Sequence, residues 1–131
     1  MERPVVILYG FGAGDLKKLR TLCARMGLRP RQVRPEETGQ KVGAFAGETA
    51  FAENAGPEEI PGQMLVLAGL TDRQIEVFLS GMRTTRVGRS ALKAVLTPTN
   101  SDWTGAQLYA ELKKEREAMG DKPIHPGQEE T

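Results

Sequence analysis

Three times along this 131-residue chain, an apolar run ends in a short turn that opens directly into a helix carrying its own start signal. The first run is Val5 to Tyr9, followed by Gly10 and then Phe11 to Leu16. With Gly12 as N-cap, Asp15 falls on the third helical residue near the positive helix end, and Phe11 is placed to staple onto Leu16. The spacing predicts a helix to about Met26, with Leu16, Leu19, Cys23 and Met26 on one buried stripe and Gly27 as a left-handed stop. The second run is Met64 to Ala68, then Gly69, with Thr71 and Gln74 at capping-box spacing and Leu70 and Ile75 at staple spacing. Ile75, Phe78, Leu79 and Met82 mark that helix's buried face. The third run, Leu92 to Thr97, turns through Pro98 to Asp102 into a helix where Thr104 with Gln107 and Trp103 with Leu108 repeat both signals, ending near Met119 with Gly120 behind it.

Between the first and second runs lie a weak strand at Arg31 to Arg34, whose charges suit an edge, and an acidic, Gly/Ala-rich connection over residues 35–62. Within that connection Val42, Phe45 and Ala46 fit one side of a short helix, and Asn54 to Gly62 reads as loop. The chain then parses as two β-α-β-α halves, residues 4–47 and 63–119. The fold class expected is α+β: a ferredoxin-like duplicated β-α-β sandwich with an extra C-terminal helix, its first and third strands central. The alternative is a three-layer α/β arrangement with a parallel sheet, because every strand precedes a possible helix. Val5 to Leu8 and Met64 to Leu67 are apolar on consecutive residues, so both sheet faces must be covered, by the last helix or by a second subunit.

The length suits a single α/β domain over residues 1–119, and residues 120–131, with two prolines and few apolar side chains, read as a disordered tail. An aromatic share of 5% makes the core mainly aliphatic. No run approaches the roughly 20 apolar residues of a membrane span, and a signal peptide's pattern is missing from the N-terminus, so a cytoplasmic location is expected. Cys23 is the single cysteine and sits on the buried stripe, so it reads as core. The sole histidine, His125, falls in the tail, which leaves no histidine triad or multi-histidine metal site; no catalytic residue, metal or cofactor is expected. Glu111, Glu115 and Glu117 alternate with Lys113, Lys114 and Arg116 as on a solvated face.

Charge is segregated beneath a net of +1: successive blocks ending at Arg34, Gly62, Thr99 and Thr131 carry +6, −5, +3 and −3. This pattern favours basic and acidic surfaces that face each other, ahead of a basic face for an anionic partner. Lys17, Lys18, Arg20, Arg25, Arg29, Arg31 and Arg34 are the residues such a face would use on nucleic acid, a reading weakened by the lack of interleaved aromatic side chains. Gly10, Gly12 and Gly14 stand where exposed helix N-terminal amides bind phosphate. Asp15 occupies the position where a dinucleotide fingerprint needs glycine, which favours a plain turn with a glycine cap. Thr97, Thr99 and Asn100 form a polar loop suited to orienting a ligand or, more ordinarily, to bonding nearby backbone. The two loops share an edge in a parallel sheet and lie at opposite ends of a ferredoxin-like one.

The stretch "LKAVLTPTNSDWTGAQLYAELKKEREAM", preceded by "MLVLAGLTDRQIEVFLSGMR", resembles a small Gram-positive bacterial family known as domain of unknown function 3783. "PVVILYGF" and "GQKVGAFAG" are similar to its longer members. The resemblance implies a compact stand-alone domain and transfers no activity, ligand or site residue. The functional expectation is a non-enzymatic binding or regulatory module that engages a protein partner or self-associates through a sheet face or edge. A nucleotide or phosphate-ligand binder and a nucleic-acid binder are the alternatives.

Overall fold

Both strongly apolar runs become strands that are buried at every residue, β1 (Val5–Tyr9) and β3 (Met64–Ala68). The computed structural model describes residues 4–119; the expected tail, with Gly120 and His125, lies outside them. The remaining elements are α1 (Ala13–Met26), β2 (Arg29–Val33), 3-10 turns at Pro35–Glu37 and Val42–Ala46, α2 (Asp72–Thr85), β4 (Leu92–Val95), a 3-10 turn at Asn100–Asp102, and α3 (Gly105–Ala118). The Thr71–Gln74 and Thr104–Gln107 capping boxes form as the spacing predicts, each satisfying helix N-terminal donors.

The strands form one four-stranded mixed sheet in the order β2-β1-β3-β4. Pairs β1–β2 and β3–β4 are parallel, and β1–β3 is antiparallel. The first and third strands are central as expected, but the ferredoxin-like order is not the one formed, nor is the fully parallel alternative. A ferredoxin-like sheet sets each half's second strand beside the other half's first. Here Arg29 N–H donates to Pro4 O at 3.0 Å and Leu92 N–H to Gln63 O at 2.9 Å, pinning each second strand beside its own first. Local patterning defines a β-α-β crossover without saying how many strand positions it passes.

The antiparallel register pairs Ile7 with Val66 at its centre, so an approximate two-fold axis normal to the sheet relates the halves. Gly10 and Gly69 are equivalent, both with φ +80°, and Gly12 and Thr71 are the equivalent N-caps. Gly27 (φ 72°) and Arg86 (φ 58°) end the two helices in the left-handed region. Behind them Leu28 and Val87 donate to the carbonyls of Cys23 and Met82 at 2.9 and 3.0 Å. These are the same helix-terminating motif used twice.

One sheet face carries Val6, Leu8, Leu65 and Leu67, packed under α1 and α2 through Leu19, Cys23, Phe78 and Met82. Burial pushes the Cys23 thiol up to about 11, in keeping with a core position. The other face carries Val5, Ile7, Tyr9, Met64 and Val66 against Val42, Phe45 and Leu108. Val42 N–H donates to Trp103 O at 2.8 Å, fastening the connection of the first half to the entry of α3. The chain therefore covers both faces with its own elements, and the last helix is among those that meet the second face, one of the two covers the apolar strands called for. Among the described residues, no helix is long and apolar enough to cross a membrane.

Candidate functional site

The two-fold axis emerges between α1 and α2, and there the outer surface opens into a groove of about 830 Å³. Its banks are equivalent positions of the two helices: Lys17 faces the axis as Glu76 does, Lys18 as Val77, Leu22 as Gly81 and Arg25 as Thr84. The two halves share a backbone plan and differ in the side chains it carries. The α1 bank is basic, whereas the α2 bank is small and mostly uncharged. Leu22 and Met26 supply an apolar floor, and Val77, 44% exposed, adds a large apolar side chain on the rim. Thr21 and Thr85 turn their hydroxyls onto the carbonyls of Lys17 and Gly81, at 3.0 and 2.9 Å, so their methyl groups are what the groove presents.

The seven basic residues expected to act together are divided. Lys17, Lys18 and Arg25 line this groove and make no ion pair among the described residues. Arg20 reaches Gln32 at 3.1 Å, and Arg29 stands exposed at the start of β2. Arg31 forms a two-pronged pair with Glu37, both contacts at 2.9 Å, with its guanidinium carbon 4.9 Å from the Phe45 ring centre. Arg34 lies 3.5 Å from Glu36 and 3.6 Å from Glu37. The hydrogen bonds from Arg31, aided by the Arg34 N–H, hold the Glu37 carboxyl down at about 2. The acidic connection thus neutralises Arg31 and Arg34, whereas, among the described residues, Lys17, Lys18 and Arg25 keep their charge unpaired on the α1 bank.

The glycine loop is split too. Gly10 is required by the turn itself, since its φ is +80° and a Cβ there would sit 2.7 Å from Gly62 O. Its twin Gly69 performs the same turn in the second half. Gly10 and Gly12 border a separate cavity of about 620 Å³ that Tyr9, Glu58 and Glu59 also line, while Gly14 opens on the α1–α2 groove. Two carboxylates beside the loop, and Asp15 in the first helical turn, oppose an anionic ligand. Tyr9 is 1% exposed and its hydroxyl has no hydrogen-bond partner among the described residues; burial pushes its pKa up.

Thr97, Thr99 and Asn100 lie at the other end of the sheet from Gly10, because β1 runs antiparallel to β3 and β3 parallel to β4. The structure does not bring the two loops together. The Asn100 side chain accepts from Thr97 N–H at 2.8 Å and donates to Val95 O at 3.2 Å, and Asn100 N–H donates to Thr97 Oγ1 at 3.1 Å. Both residues are turned onto their own backbone. Thr99 borders a groove between β4 and α3 of about 310 Å³.

Those elements, β3, α2, β4 and α3, form a contiguous half of the sheet. Residues 63–119 match the family model described as Domain of unknown function (DUF3783). The matched segment holds the whole β4–α3 groove and the α2 bank of the α1–α2 groove. The α1 bank precedes it. Searches among curated proteins and among solved structures matched nothing.

Proposed function

We propose that this chain is a non-enzymatic binding module that takes an acidic, amphipathic helix of a protein partner along the α1–α2 groove. The observation that supports this reading is the groove's make-up: an apolar floor at Leu22 and Met26, Val77 exposed on the rim, and three cations on one bank. Two antiparallel helices of 14 residues leave a furrow about 20 Å long, the shape a third helix fills by ridge-into-groove packing. A second copy is a poor occupant, because Glu76 is the one acidic residue lining the groove to meet Lys17, Lys18 and Arg25. Nucleic acid is served less well, since no aromatic side chain lines the groove for a base to stack on.

The test is fluorescence anisotropy with a labelled amphipathic helical peptide rich in glutamate, its lysine counterpart, and a single-stranded oligonucleotide. The glutamate peptide is expected to bind, with at least tenfold loss in a Lys18→Glu/Arg25→Glu double variant. A preference for the lysine peptide, equal binding by the variant, or tighter binding of the oligonucleotide overturns the reading.

A further inference from the structure

The two edges of the sheet are treated differently. On β2 the ladder with β1 turns Pro30 and Gln32 outward, since Arg29 N–H is the one that bonds inward. Pro30 has no N–H to offer, and the outward carbonyl of Gln32 accepts from Arg31 Nη1 at 2.8 Å. That edge is closed to another strand.

On β4, Leu92 N–H and Leu96 N–H bond inward to Gln63 O and Leu67 O, both at 2.9 Å, so Lys93 and Val95 present their backbone outward. Beyond them the Asn100 amide occupies Val95 O and Thr97 N–H as one residue of a neighbouring strand would. The Lys93 N–H and C=O and the Val95 N–H meet no partner among the described residues. The Lys93 side chain, which often guards an edge, is folded back onto the carbonyls of Gly88 and Ala91 at 3.1 and 3.0 Å. Alongside runs the groove to α3, lined by Trp103, Leu108 and Leu112 with Lys93, Glu111 and Glu115; Lys114 meets Glu111 at 3.7 Å, and Glu115 has no ion pair among the described residues.

We propose that the β4 edge binds an extended segment of a protein partner as a fifth strand, apolar and basic side chains alternating on the face that meets α3. This site is separate from the α1–α2 groove and does not depend on it. Main-chain bonds to Lys93 and Val95 give the pairing, and the α3 wall selects the side chains. A second copy pairing antiparallel, β4 to β4, would bring two α3 helices side by side with the Glu111–Glu115 stretch of one toward that of the other, a juxtaposition of like charges that an incoming basic segment does not suffer.

An eight-residue peptide in which threonine alternates with valine and lysine in turn serves as probe, with two relatives: glutamate in place of lysine, and the lysine peptide N-methylated at alternate residues. Backbone amide spectra of the full chain are followed during titration. The lysine peptide is expected to shift the Lys93 and Val95 amides and slow their hydrogen exchange. N-methylation is expected to weaken binding at least tenfold, and Glu111→Lys/Glu115→Lys to reverse the preference between lysine and glutamate peptides. Because N-methylation alters only the peptide, its result does not depend on the folding of any variant. Equal affinity for the N-methylated peptide, no change at the two amides, or protection that instead grows with protein concentration alone as the sedimenting mass doubles each overturns the proposal.

Discussion

Leu22 of α1 and Gly81 of α2 are equivalent positions of the two halves, and they meet on the axis that relates them: a Cβ on Gly81 would stand 2.7 Å from Leu22 Cδ1. Two leucines cannot share this crossing, so one half keeps the knob and the other the hole. We expect Gly81→Leu to cost about 2 kcal/mol through overpacking. Adding Leu22→Ala is expected to recover about 1 kcal/mol, because the pair is coupled. Urea unfolding of the two single variants and the double variant measures the coupling; strict additivity would show that the helices do not touch there.

The second half ends α2 on Arg86, an exposed, non-glycine residue at φ 58°, where the first half uses Gly27. Arg86→Gly is expected to stabilise the fold by about 0.5–1 kcal/mol by removing the left-handed penalty. Gly27→Ala is expected to destabilise it by about 1 kcal/mol for the same reason. Thermal midpoints of the two variants should move in opposite directions.

Those two positions also show what the sequence carries. Helix ends are local: Thr71 with Gln74, Thr104 with Gln107, and Gly27 each act on backbone within a few residues, and their spacing places all three helices. Strand order is not local. Arg29 meeting Pro4, and Leu92 meeting Gln63, are choices between partners that the apolar pattern serves equally well. The groove escaped notice for a related reason. The stripe Leu16, Leu19, Cys23 and Met26 leaves Leu22 out, and Gly81 carries no hydrophobic signal of its own. Aligning the halves on Gly10 and Gly69 sets Leu22 against Gly81 and exposes the crossing. The Asn100 amide standing in for a strand residue is visible only once β4 is known to be an edge.

Tyr9 supplies a test of how its buried hydroxyl is accommodated. The ring packs edge-on to Phe45, 6.3 Å between centres, and a Cβ on Gly105 would fall 2.6 Å from it, so the ring itself is needed. The hydroxyl has no partner among the described residues, and an unsatisfied buried polar group costs about 1–3 kcal/mol. Tyr9→Phe is therefore expected to leave stability unchanged or raise it by about 1 kcal/mol. A loss of that size in chemical denaturation would mean that the hydroxyl is hydrogen-bonded in solution.

The Arg31–Glu37 pair makes stability depend on acid in a defined window. The hydrogen bonds from Arg31 hold the folded Glu37 carboxyl at about 2, against an ordinary value of 4.5. A depressed carboxyl contributes stability that is fully present above the ordinary value and is lost as pH falls from about 4.5 toward about 2. The Glu37 side chain is 17% exposed and that of Arg31 34%, so solvent screens part of the attraction. The contribution at neutral pH is then on the order of 1–2 kcal/mol. Glu37→Gln keeps the size of the side chain and removes its titration. Unfolding free energies of the two proteins, measured in urea across that window, should differ most at neutral pH and converge at its acid end. Parallel curves would place the acid sensitivity on other carboxyls and leave Arg31 held by its packing on Phe45.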